Sequence, residues 1–252
     1  NSTFECLLDS SSWSSCGSPK SYTDLSDGNH SFSVRATDQA GNTGNLAYWI
    51  WTIDSTPPLA SIDSGPSNPT NQTTATFEFS SDEPSTFFCS LDLVNWSVCQ
   101  SLINYYDLSD GNHTFRLKAR DMVNNTGNPV YWNWTIDTTP PLASIEIGPE
   151  NPNSEDIASF TFSSDDLAAT YECSFNLEIW SNCTSPKTYQ NIIPGEHIFS
   201  LRVVDEIGNV GKIEYWNWTV ESLDIENLLT IVDVEYINTG DQTELGIMTI
   251  YM

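Results

Sequence analysis

The chain has 252 residues, and its 34 acidic side chains face only 8 basic ones, for a net charge of -26. That balance excludes nucleic acid as a partner, since a phosphate backbone must be met by clustered Lys and Arg, and it disfavours anionic membrane surfaces for the same reason. No apolar run approaches the roughly 20 residues of a membrane helix, so no membrane insertion is expected, whereas 12% aromatic residues with 13 Gly and 13 Pro suit strands joined by turns.

The chain then repeats itself. Phe4-Glu-Cys6-Leu-Leu-Asp9, followed by Trp13 and Cys16, recurs as Phe88-Cys89-Ser-Leu-Asp92 with Trp96 and Cys99. It recurs again as Tyr171-Glu-Cys173 with Trp180 and Cys183. Leu25-Ser-Asp27-Gly28-Asn29-His30 matches Leu108-Ser-Asp110-Gly111-Asn112-His113 and, more loosely, Ile193-Pro-Gly195-Glu-His197. Each copy runs on through Asp38-Gln-Ala-Gly41-Asn42, Asp121-Met-Val-Asn-Asn125 or Asp205-Glu-Ile-Gly208-Asn209 and closes on Trp51-Thr-Ile-Asp54, Trp134-Thr-Ile-Asp137 or Trp218-Thr-Val-Glu221. The spacing predicts a partial repeat over 1–54 that lacks its opening strands, full repeats over 55–137 and 138–221, and a C-terminal strand segment over 222–252. That last segment is expected either to begin a further sandwich or to donate strands to a neighbouring copy.

Within a copy the period is two. Ala75, Phe77 and Phe79 alternate with polar residues, and so do Phe115, Leu117 and Ala119, as half-buried strands do. Asp110-Gly111 and Asn124-Asn-Thr-Gly127 supply turns, and Pro57-Pro58 and Pro140-Pro141 mark junctions that no central strand could continue through. About seven strands per copy predict an all-β chain of tandem antiparallel sandwiches. No signal peptide opens the sequence, which suits either its removal or an internal piece, and the unfinished C-terminal segment makes the chain read as a window on a longer polypeptide.

The string Cys-x-Leu-Asp, Trp, Cys, Leu-x-Asp-Gly-x-His-x-Phe-x-Val-Arg-Ala-x-Asp-x-Ala-Gly-Asn, Trp-Thr-Ile-Asp, Thr-Pro-Pro resembles the immunoglobulin-like repeats of large secreted and cell-surface proteins of bacteria and archaea. The resemblance implies immunoglobulin-like sandwiches acting as a stalk, spacer or adhesin arm, self-assembling head to tail or lying within a longer chain. The alternative is a module of a larger secreted protein that recognises a cell-surface glycan or protein. The third copy departs from the pattern, with Pro194-Gly195 for Asp-Gly and Glu221 for the closing Asp.

The six cysteines fall as Cys6 with Cys16, Cys89 with Cys99 and Cys173 with Cys183. One couple per repeat offers too few ligands for zinc, so three disulfides are expected, each adding about 3 kcal/mol by the chain-entropy estimate and pointing to an oxidising, extracellular setting. His30, His113 and His197 recur at one repeat position, which suits a turn or packing role better than catalysis, and no enzyme activity is expected. Loop carboxylates Asp38, Asp121 and Asp205, with junction carboxylates Asp54 and Asp137, form a candidate calcium set, set against their ordinary use in tight turns; no other cofactor is expected. Asn-x-Ser/Thr sequons make Asn29, Asn71, Asn95, Asn112, Asn124, Asn133 and Asn217 candidate glycosylation sites, while the sequon at Asn182 is disfavoured by its paired cysteine neighbour. Trp49, Trp51, Trp132, Trp134, Trp216 and Trp218 read as core, not as a sugar platform.

Overall fold

Alternating apolar residues make each strand two-faced, and covering that face requires a second sheet. The structure, a computed structural model, describes residues 2–222, so the C-terminal segment expected to form or donate strands lies almost wholly outside the described residues. The described residues divide into two compact units, one running to Pro140 and including Asp205–Asn209, the other holding Pro141–Val204 together with residues 210–222.

The first unit opens with β1 (Thr3–Leu8), β2 (Ser14–Cys16), β3 (Gly28–Thr37) and β4 (Ala47–Ile53), paired in the order β2-β1-β3-β4. Seven strands follow: β5 (Ala60–Ser64), β6 (Ala75–Ser81), β7 (Thr86–Leu91), β8 (Ser97–Cys99), β9 (Ile103–Tyr105), β10 (Gly111–Arg120) and β11 (Val130–Ile136). They form a three-stranded sheet, β5-β6-β9, and a four-stranded one, β11-β10-β7-β8. The inner faces meet in one core of Ala75, Phe77, Phe79, Phe115, Leu117, Trp134 and Ile136. Phe77 lies flat on Phe115 at a ring separation of 4.0 Å and edge-on to Trp134 at 5.4 Å, joining the sheets through aromatic contact.

The second unit repeats this design. Strands β12 (Ala143–Ile147), β13 (Ile157–Ser164) and β16 (Lys187–Gln190) form one sheet. Strands β14 (Thr170–Phe175), β15 (Ser181–Cys183), β17 (Gly195–Val204) and β18 (Glu214–Val220) form the other, in the order β15-β14-β17-β18. Phe160 stacks on Phe199 at 4.1 Å, as Phe77 does on Phe115. The described residues are all-β, and the two complete repeats are immunoglobulin-like sandwiches.

The cysteine pairs expected from the sequence are bonded: Cys6–Cys16, Cys89–Cys99 and Cys173–Cys183. Each staples a long strand to its short edge neighbour, where only three residue pairs hold the ladder (Phe87↔Cys99 to Cys89↔Ser97 in the second repeat). The turn entering that hairpin starts on Asp9, Asp92 or Asn176, all at positive φ (48 to 52°), a conformation in which Asp and Asn are among the better tolerated residues.

Candidate functional site

The loop between the last two long strands of each repeat closes on one carboxylate. Asp121 Oδ1 accepts from the backbone N–H groups of Val123 and Asn125, Oδ2 accepts from Asn125 Nδ2, and the Asp121 N–H donates to the Asn125 carbonyl. Asp38 with Asn42 and Asp205 with Asn209 make the same closure. Donors gathered on Asp38 and Asp205 hold both carboxyls below the usual Asp value: chiefly Asn42 for Asp38, and for Asp205 the Asn209 bonds, which outweigh the opposing effect of burial.

That loop also reaches back along the chain. Asn125 Nδ2 donates to the Asp54 carbonyl and Asn209 Nδ2 to the Asp137 carbonyl, both at 2.9 Å. The linker is held from its other side as well: Asp27 accepts from the Ser55 N–H and hydroxyl and the Thr56 hydroxyl, and Asp110 accepts from Thr138 and Thr139 in the same way. These bonds lower the Asp27 pKa. The next residues pack as tightly. A Cβ on Gly127 would stand 2.1 Å from the Pro58 carbonyl oxygen, and one on Gly211 2.2 Å from that of Pro141, so neither glycine admits a side chain without displacing backbone.

Of the candidate calcium residues, the structure brings Asp54 and Asp121 together, and adds Glu83, which the sequence pattern did not single out. Asp38, Asp137 and Asp205 join no comparable group of three acids among the described residues. The Glu83 carboxyl is pushed up by burial and by the charges of Asp54, Asp121 and Asp82. Asp121 already accepts from three N–H donors of Val123 and Asn125, and the Asp54 carbonyl accepts from Asn125.

The histidines are buried and fully engaged. His113 Nδ1 meets Asp92 Oδ2 at 2.8 Å, its Nε2 meets the Ser109 carbonyl at 2.7 Å, and its ring stacks on Trp134. His30 repeats this with Asp9, Ser26 and Trp51. Both ring nitrogens face acceptors, which suits the charged ring. The His113 pKa is raised although burial, the largest single effect, opposes the rise; bonds to Ser109 and Asp92 outweigh it. The His30 pKa is also raised, first by the Ser26 bond. In the third repeat Asn176 replaces the Asp. Its Oδ1 accepts from the Ile198 N–H, so its Nδ2 donates to His197 Nδ1, and Nε2–H donates to the Ile193 carbonyl.

Asn29, Asn95, Asn112, Asn124, Asn133 and Asn217 are exposed, and Asn71 is half-buried. Asn95 and Asn124 lie in loops. On β10 and β11 Asn112 stands opposite Thr135 and Asn133 opposite Thr114, each Asn accepting from that threonine of the other's sequon, both at 2.8 Å. Trp134 and Trp218 are buried and Trp132 and Trp216 half-buried, as their strand period requires, whereas Trp49 is 70% exposed.

Residues 97–179, a stretch one repeat long, match the family model described as "Bacterial Ig-like domain (group 3)". No curated protein matches the sequence. Among solved structures, fibronectin(III)-like modules of Clostridium thermocellum CbhA are 13% identical, with 65% of this chain and 94% of that one covered at a TM-score of 0.39. A structure concerning host cell surface retention of a 1.5-MDa bacterial ice-binding adhesin is 12% identical, covering 87% and 85% at 0.49. The chicken CNTN1 FN1-FN3 domains are 10% identical, covering 87% and 91% at 0.35. The sheets are those of tandem immunoglobulin-like sandwiches, and one repeat length, residues 97–179, is similar to the bacterial Ig-like family model.

Proposed function

We propose that this chain is a structural repeat array of an extracellular surface protein or filament, a stalk, spacer or adhesin arm without catalytic activity of its own. The observation that carries the reading is the junction inside the first unit. Asp27 grips Ser55 and Thr56, Asn125 grips the Asp54 carbonyl, and Pro58 packs against Gly127, so the linker has few free torsions. The side chains with chemical potential support the same reading: the loop carboxylates close loops, the histidines lock turns onto tryptophans, and the cysteines are all spent as staples. Three disulfides fit an oxidising compartment outside the cell. N-linked glycans on exposed sequons belong to this reading, with Asn95 and Asn124 the most accessible by their place in loops.

The test is backbone relaxation of the full chain, comparing amides of the first repeat with those of the second. Joint tumbling that becomes independent in the D27A/N125A variant supports a stiff spacer. Independent tumbling of the unaltered chain overturns it. Intact mass of native material, before and after glycosidase treatment, reads the glycans.

A further inference from the structure

The outer face of β10 carries a charge pattern that the other repeats lack. Arg116, Lys118 and Arg120 occupy alternate positions, so all three project from one face about 6.8 Å apart. They are three of the eight basic residues in a chain of net charge -26. The corresponding strand of the first repeat has Ser33, Arg35 and Thr37, and that of the third has Ser200, Arg202 and Val204. In both of those repeats the single arginine is neutralised by the residue across the ladder: Arg35 pairs with Glu5 at 2.8 Å and Arg202 with Glu172 at 2.6 Å. In the second repeat the cross-strand residue is Phe88. Among the described residues no carboxylate lies within ion-pair distance of Arg116, Lys118 or Arg120. Arg116 and Lys118 lie over Trp96, and Lys118 and Arg120 over Phe88. Those rings hold the three half-buried cations in place, and Arg116 also donates to the Ser90 hydroxyl and the Val94 carbonyl.

The third repeat departs in the opposite sense. A cleft of about 570 Å³ is lined by Glu150, Glu155 and Glu221, where the second repeat has Ser67, Gln72 and a single acid, Asp137. Two repeats with the same strands and register thus differ by a triple cation on one and a triple carboxylate on the other.

We propose that the basic face of the second repeat is a docking surface for a second copy of this chain, with the Glu150, Glu155 and Glu221 cleft as its complement. The two surfaces are different, so the contact is heterologous and propagates from copy to copy without closing by symmetry. At an ionic strength of about 0.15 M the Debye length is about 8 Å, so the mutual repulsion of two acidic chains is largely screened while ion pairs in contact persist. This contact is independent of any strand donation and of the stiffness of the junction.

The experiment is sedimentation velocity of the full chain over a concentration series at about 0.15 M and about 1 M salt. Self-association is expected at the lower salt and is lost at the higher. R116S/R120V, which installs the residues the third repeat carries there, weakens association at least about tenfold, the loss of about 1.4 kcal/mol. R116E/K118E/R120E abolishes it, E150K/E155K/E221K abolishes it separately, and mixing the two reversed variants restores it. A monomer throughout the series overturns the proposal, as does association indifferent to these substitutions. Failure of the mixture to associate overturns the assigned complement. A monomer that is retained on heparin and released by charge reversal replaces the second copy with an anionic polysaccharide.

Discussion

The first and second repeats share a sheet and differ in what covers it. Strands β1 to β4 pair with the register of β7, β8, β10 and β11: His30 stands opposite Trp51 as His113 stands opposite Trp134, and Cys6 opposite Val34 as Cys89 opposite Leu117. Yet Trp134 is 1% exposed and Phe115 0%, while Trp51 and Phe32 are half-exposed, because no counterpart of the β5-β6-β9 sheet covers them among the described residues. Pairing is therefore a local property set by the disulfide hairpin, the αL turn and the Asp-Gly turn. Burial is a property of the second sheet.

The comparison is broken most strongly by removing the contact between the two sheets. F77A deletes a fully buried ring that touches both Phe115 and Trp134, and should cost about 3–5 kcal/mol. Hydrogen exchange is expected to show β10 and β11 of the second repeat losing protection toward that of β3 and β4, with the third repeat unchanged. C89S/C99S attacks the pairing itself. It should cost about 3 kcal/mol by the loop-entropy estimate, read by denaturant titration, with β8 the first strand to fray. G127A forces a Cβ against the Pro58 carbonyl, for a loss of about 1–3 kcal/mol confined to the second repeat, whereas G44A meets nothing closer than 3.7 Å and should be tolerated there.

A smaller effect separates the second repeat from the third. The folded His113 pKa lies above its ordinary 6.5, so the stability it contributes is complete below that value and drains away as pH rises through the raised one. D92N copies the Asn176 arrangement and should remove this dependence, as measured by exchange of β10 amides across neutral pH. The smallest effect is at Glu83. Its carboxyl is raised above 4.5, so its contribution is complete in acid and lost toward neutrality. E83Q should therefore raise the melting temperature at neutral pH and leave it unchanged in acid. A calcium-dependent rise that E83Q abolishes would assign a cation to Asp54, Glu83 and Asp121.

Much of this was legible because a strand writes its faces with a period of two. Phe77, Phe79, Phe115 and Leu117 announce the core, and equal cysteine spacing in three copies announces the staples. Asp54 and Asp121 could be placed at one junction because both recur in phase. Glu83 could not, since it sits in an ordinary-looking turn and reaches the cluster only through the packing of β6 onto the start of its own repeat. The hydrogen-bond partner of each histidine was equally hidden: it is Asp92 for His113 and Asn176 for His197, 21 residues away across a sheet.

By itself the sequence determined the all-β class, the repeat length and the cysteine partners, since these follow from side-chain alternation, turn residues and recurrence. Only the tertiary structure decided which rings are buried, which carboxylates are consumed by backbone donors and which cations stand unpaired. Those outcomes depend on residues far apart in sequence, brought within a few ångströms by the pairing of strands and the closure of one sheet over another.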